Sequence, residues 1–173
     1  MLTKSVVTGG MGFIGHHLVK ELKRQGHFVV VADNLAGGNF PDRRQDDVIY
    51  YETDIAKSSV ETLQSVFRDA TYVFHLAALP RVQYSLEHPL ETEAVNVGGT
   101  INVLEAARRE KVGKMIFVSS SSVYGEPAAL PVHEGFPLSP MSPYAHQKAT
   151  SEWYCNLYAN VHGLPTVSLR LFN

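Results

Sequence analysis

At 173 residues, with 45% apolar and 18% charged side chains and a formal net charge of −2, the chain has the composition of one globular domain able to bury a substantial core. That balance, with no Lys/Arg cluster along any predicted face, gives no reason to expect nucleic acid as a partner. The single cysteine, Cys155, excludes an internal disulfide framework, and no apolar run is long enough to span a bilayer.

The predicted elements begin almost at once. Lys4 to Thr8 suits a short buried strand and Phe13 to Gln25 a helix, with Ile14, Leu18, Val19 and Leu22 on one stripe. Because the chain enters this strand within a few residues, no signal peptide is expected, and a cytoplasmic protein without membrane contact follows. The turn between strand and helix reads Gly9-Gly10-Met11-Gly12-Phe13-Ile14-Gly15. Glycines at this spacing let a pyrophosphate approach the backbone, and the helix N-terminus offers it free N–H groups and a positive dipole end. A second strand, Phe28 to Ala32, ends at Asp33, eighteen residues past Gly15. A carboxylate there accepts from both ribose hydroxyls and repels a 2′-phosphate; with no Arg directly following, NAD is expected rather than NADP.

A polar loop, Asn34 to Asp47, leads to a strand at Val48 to Glu52, a weakly amphipathic helix at Val60 to Phe67 and a buried strand at Tyr72 to Leu76. Pro89 to Glu110 is predicted as mostly helical, with Val97, Ile101, Leu104 and Ala107 on one face. Met115 to Ser119 is the fifth strand, Tyr144 to His162 a long helix and Thr166 to Leu171 the sixth strand. Short apolar strands alternating with helices predict an α/β, doubly wound parallel sheet covered on both faces, a Rossmann fold of three α/β/α layers in the order 3-2-1-4-5-6. The eight histidines share no metal-ligand spacing, so no metal is expected.

Ligand-binding groups in such a sheet belong at the carboxyl ends of strands. Gly9 to Gly15, Asp33, Asp54, His75-Leu76-Ala77-Ala78, Ser119 to Ser122 and Asn173 all fall there. Tyr144 and Lys148 stand four residues apart, hence on one helix face, where a Lys ammonium near the phenol would favour phenolate. A hydroxyl from the serine run could then hold a substrate oxygen beside that phenol.

Assembled, these residues resemble the extended short-chain dehydrogenase/reductase family, in its nucleotide-sugar epimerase/dehydratase branch. The resemblance is carried by Thr8 to Gly15, Asp33-Asn34-Leu35, Asp54-Ile55, His75 to Ala78, Asn96 to Thr100, Ser119 to Gly125, Ser142 to Lys148 and Arg170 to Asn173. It implies tightly held NAD, with Gly9, Gly12 and Gly15 under the pyrophosphate, Asp33 on the adenosine ribose, and Phe13, Ile14 and Asn34 also among the cofactor-binding residues. Asp54 and Ile55 would border the adenine, Leu76, Ala77 and Ala78 would line the cofactor, and Asn96 would brace the site. Tyr144 and Lys148 would reach the nicotinamide ribose. By position, Ser120 would be the catalytic hydroxyl, with Ser119 and Ser121 as fallback assignments. Ser120, Tyr144 and Asn173 would contact a UDP-sugar.

Within the branch, dehydratases and decarboxylases carry acidic residues just after the catalytic Ser/Thr, where this sequence has Ser121 and Ser122. The resemblance therefore favours UDP-hexose 4-epimerisation through a 4-keto intermediate. A dehydratase or reductase of the same family, or a non-catalytic NAD-binding module, stays open. The sequence stops inside the family's R-x-F-N-x-x-G motif. The expectation is thus an NAD-binding domain over residues 1–173, lacking the substrate-binding part of a homodimeric enzyme.

Overall fold

The computed structural model describes residues 2–172, so Asn173, the expected sugar contact, lies outside the described residues. Six strands, β1 (Lys4–Thr8), β2 (Phe28–Asp33), β3 (Ile49–Glu52), β4 (Tyr72–His75), β5 (Lys114–Ser120) and β6 (Thr166–Leu171), form one sheet ordered β3-β2-β1-β4-β5-β6. Every pairing is parallel; Val6 lies between Val30 and Val73, and Ser120 pairs with Leu171.

Strand alternation gives the sheet two cores. On one face Val6, Val30, Val73, Met115 and Phe117 meet Leu63 and Phe67 of α2 (Val60–Phe67), Val103 and Leu104 of α5 (Thr100–Arg109) and Cys155 of α6 (Pro143–His162). On the other, Val7, Val29 and Val31 meet Met11 together with Val19 and Leu22 of α1 (Phe13–Arg24). Ile14, expected on the same stripe, is 50% exposed, because the first turn of α1 stands at the carboxyl edge of the sheet. Ser142 caps α6 by accepting from Ala145 N at 3.2 Å, Pro143 opens it, and Gly163 closes it at φ 69°.

Two local results depart from the predicted elements. The single helix expected over Pro89 to Glu110 is α4 (Pro89–Glu93), a π-helical segment Ala94–Gly99 and α5. Within that segment the Asn96 carbonyl accepts from Thr100 Oγ1 at 2.6 Å and Ser151 Oγ at 2.9 Å. A Cβ on Gly99 would stand 2.7 Å from Ile55 Cδ1, so a larger residue there would make the Ile55 side chain shift. The short α3 (Val82–Glu87) has no counterpart in the sequence pattern, since Val82 and Leu86 are exposed and only Ser85 is buried.

The second face is also not covered throughout. α1 packs on β1 and β2, whereas on edge strand β6 the outward residues Val167, Leu169 and Leu171 are exposed. The inward ones, Thr166, Ser168 and Arg170, are the more polar set. Among the described residues, no helix is long and apolar enough to cross a membrane, and no His/Cys/Asp/Glu group is placed to hold a metal.

Candidate active site

The glycine-rich turn is shaped by contacts that leave no room for side chains. A Cβ on Gly15 would meet Gly9 O at 2.2 Å, and one on Gly9, whose φ is 71°, would meet Ala77 N at 2.6 Å. Gly12 is the N-cap of α1; it offers no side chain to the first-turn N–H groups, and that turn holds no acidic residue. Phe13 and Ile14 are exposed beside this end. The turn thus presents backbone donors and a helix dipole to an anion, in a cradle whose depth depends on glycine.

β5 and α6 bring the second group together. Ser120 Oγ accepts from Ser122 Oγ at 2.9 Å and Ser122 N at 3.2 Å. Both lone pairs are then used, leaving the Ser120 proton as the free donor of the hydroxyl. Burial raises the Tyr144 phenol above its ordinary pKa, and the Ser120 hydroxyl offsets part of that rise. The other assigned hydroxyls differ. Ser119, by alternation, shares a face with Met115 and Phe117, and its buried Oγ has no partner. Ser121 opens a one-turn 3₁₀ helix, Ser121–Tyr124.

Lys148, on the same face of α6 as Tyr144, reaches toward β5. Its Nζ donates to Val118 O at 2.8 Å and lies 5.9 Å from the centroid of the Tyr144 ring. Burial lowers its pKa to about 8, only partly offset by Cys155 and Glu152. The pair shares a helix face, as spacing required, and the ammonium donates to a strand carbonyl.

A buried relay joins the two groups. Thr100 Oγ1 gives its one proton to Asn96 O, so toward His75 Nε2, 3.0 Å away, it can only accept. His75 Nε2 therefore carries the proton, and Nδ1 accepts from Thr8 Oγ1 at 2.7 Å. Thr8 Oγ1 in turn accepts from Ala77 N at 3.3 Å. The Asn96 side chain clips both peptide groups of Leu79, accepting from its N at 2.8 Å and donating to its O at 3.1 Å. Its amide also donates to Gln147 Oε1 at 2.8 Å on α6. Asn96 thus braces the loop after β4 against the helix carrying Tyr144 and Lys148.

Burial, and secondarily the Lys148 charge, depress the His75 pKa from 6.5 to about 3. Between those values the unfolded chain binds a proton that the fold refuses, so stability is full above 6.5 and lost as pH falls toward 3. The expected slope from this group is about 1.4 kcal/mol per pH unit. Urea unfolding at stepped pH should show it in the wild type and a shallower slope in His75→Gln; coincident slopes would mean that His75 charges inside the fold.

On the adenosine side, Asp33 accepts from Met11 N at 2.9 Å through one oxygen and from Leu35 N at 2.8 Å through the other. Each oxygen keeps a lone pair toward solvent for a ribose hydroxyl. Asn34 Nδ2 donates to Asp54 at 3.2 Å. Burial opposes ionisation of Asp54, but Asn34 and the N–H groups of Ala56 and Lys57 outweigh it and hold the carboxyl below its ordinary pKa. Ile55 is buried against Gly99, and its carbonyl accepts from Asn102 at 3.0 Å. Leu76, Ala77 and Ala78 are half-buried in the loop opposite the glycine turn. Sequence reasoning missed Gln147, Ser85, which receives Tyr144 N at 3.1 Å, and Arg43, which reaches Met11 O. None of them shows a spacing signal; each is defined by a partner distant in sequence.

A parallel sheet with a glycine cradle after β1, a carboxylate at the end of β2, and Ser120, Tyr144 and Lys148 on β5 and α6 is the Rossmann arrangement of the extended short-chain dehydrogenase/reductase class. The chain belongs to the NAD dependent epimerase/dehydratase family, whose profile matches residues 5–173. It is 38% identical over 169 residues to a putative UDP-glucose 4-epimerase of Methanocaldococcus jannaschii, covering 97% of this chain and 55% of that protein. The UDP-glucose 4-epimerase of Thermus thermophilus, solved with NAD, superposes with a TM-score of 0.90 at 39% identity over 97% of this chain and 54% of that one. The UDP-N-acetylglucosamine 4-epimerase of Methanobrevibacter ruminantium, solved with UDP-N-acetylmuramic acid, gives 0.91 at 36% identity over 100% and 56%. The chain thus spans about half the length of the relatives it matches. NAD is the cofactor of this family, and the uncapped helix end, glycine cradle and half-free Asp33 carboxylate fit it.

Proposed function

We propose that this chain carries the NAD-binding and proton-transfer parts of a UDP-hexose 4-epimerase. The observation that carries the reading is the placement of a Ser120 hydroxyl, whose remaining valence is its proton, at the end of β5, with the buried Tyr144 phenol on α6. NAD supplies the hydride acceptor and the hydride returned. Tyr144, having first given its own proton to solvent, would take the proton from the sugar O4 as phenolate and later return it, and Ser120 would donate to the same oxygen. Lys148, charged below about pH 8, stabilises the phenolate once its ammonium leaves Val118 O. Ser121 and Ser122 stand where elimination chemistry would need an acid, and Ser122 is spent on Ser120.

A cytoplasmic location and a homodimer belong to the same proposal. In support of the dimer, Trp153, Leu157 and Val161, one helical turn apart on α6, are 60%, 47% and 64% exposed.

Because relatives of this kind are about twice as long, the test joins residues 1–173 to the C-terminal half of such a relative. The product is incubated with NAD and UDP-glucose. Formation of UDP-galactose that depends on Tyr144 and Ser120 supports the proposal. A 4-keto-6-deoxy sugar would instead identify a dehydratase, and tight NAD binding with no turnover of any UDP-sugar would point to a binding module.

A further inference from the structure

One residue of the glycine turn is held from both sides by charged side chains. Met11 N donates to Asp33 Oδ2 at 2.9 Å, and Met11 O accepts from Arg43 Nη1 at 2.8 Å. Arg43 belongs to none of the sheet elements; it ends the one-turn 3₁₀ helix Pro41–Arg43 in the loop leaving β2. Its guanidinium lies 3.8 Å from the centroid of the Phe40 ring. Phe40 in turn packs on Gly38, where φ is 117° and a Cβ would stand 2.7 Å from the ring. The same Asp33 carboxylate that holds Met11 also accepts from Leu35 N, where the loop begins. The segment from Leu35 to Arg43 is therefore a strap, tied at its start by Asp33 and at its end by Arg43, with Met11 the point where both ties converge. Met11 itself is 2% exposed, packed with Val7, Val19 and Val31, so the strap is fastened where the turn meets the core.

We propose that Arg43 is a positioning residue for NAD: by binding the Met11 carbonyl it holds the turn before Gly12 in the form that presents the first-turn N–H groups of α1 to the pyrophosphate. It contacts no reacting atom. The inference rests on NAD binding at this turn and is independent of the epimerisation proposed above. A receptor loop that samples other conformations binds in proportion to its competent fraction, so a tie that restricts the turn appears as affinity. Charge-assisted bonds are the stronger kind, and the planar guanidinium both stacks and donates, which an ammonium cannot do together. With one donor on Met11 O and one face on Phe40, Arg43 is placed to order the turn.

The test is calorimetric titration of NAD, ADP-ribose and NADP into the 173-residue chain and into Arg43→Ala and Arg43→Lys, with melting curves taken without ligand. Arg43→Ala is expected to weaken NAD and ADP-ribose alike by about tenfold, as loss of one charge-assisted bond implies. Its unliganded melting temperature should stay within about 3 °C of wild type, since the side chain is half-exposed in a loop. Arg43→Lys should recover part of the affinity through its single donor. NAD affinity of Arg43→Ala within about twofold of wild type, with or without a fall in melting temperature, would overturn the proposal. So would a loss confined to NADP, which would make Arg43 a phosphate ligand. Absence of NAD binding by the wild-type chain would overturn the cofactor site itself, a failure separate from any result on sugar turnover.

Discussion

Tyr144→Phe is expected to lower sugar turnover by about 10³-fold while leaving NAD bound, the usual cost of removing a general acid–base group. The substitution deletes one oxygen and keeps the ring. That ring is 8% exposed on α6, and the backbone N of Tyr144 stays bonded to Ser85 Oγ, so the helix keeps its place. The loss should fall on kcat, because proton transfer from O4 belongs to the transition state, and the NAD dissociation constant should stay within about twofold. Steady-state rates and an NAD titration on the chimaeric enzyme measure both. Turnover within a few-fold of wild type would mean that another group takes the proton, with Ser120 the first to examine.

The second large effect concerns stability. Arg170 on β6 places Nε and Nη2 on the Glu152 carboxylate of α6, at 2.9 Å and 2.7 Å, and Nη1 on Tyr124 Oη at 2.6 Å. The Glu152 side chain is 4% exposed and that of Arg170 21%. Arg170→Ala would leave a buried carboxylate without its cation and a buried phenol without its donor. A loss of about 3–5 kcal/mol is expected, the range for breaking a buried pair from one side. Arg170→Lys should recover little, since an ammonium cannot reproduce the forked contact while also reaching Tyr124. Replacing both partners with Met should recover most of the loss, because no charge then stays buried unpaired. Urea unfolding of the four proteins decides it; a loss under about 1 kcal/mol in Arg170→Ala would mean that water replaces the guanidinium.

Together the two variants separate the roles of α6. Its N-terminal half carries Tyr144, Gln147 and Lys148 toward the site, while Glu152 and Cys155 fasten it to β6 and the core. A chemical lesion at Tyr144 should leave unfolding unchanged. A lesion at Arg170 should weaken the seat of the whole helix.

What the sequence determined by itself is what local pattern encodes. Alternating and continuous apolar runs located all six strands, and apolar periodicity bounded α2 at Val60 and Phe67, because burial on a sheet face selects side chains at fixed intervals. The glycine spacing from Gly9 to Gly15 and the acid at Asp33 were legible for the same reason, since one turn and one strand end carry the whole feature. Tyr144 and Lys148 had to share a face at that spacing. The tertiary structure decided what depends on partners remote in the chain. The direction of the Lys148 ammonium is set by the Val118 carbonyl, 30 residues away, and not by its helix neighbour. The Asn96 carbonyl in the π-helical turn takes Ser151 Oγ from 55 residues away, on α6. Arg43, 32 residues past Met11, reaches the glycine turn only because the loop folds back through Gly38 and Phe40. Periodicity records which face of an element is buried. Which buried polar atom finds which partner is fixed only when the elements pack, since an unpaired one in the interior would cost the fold more than a local preference can supply.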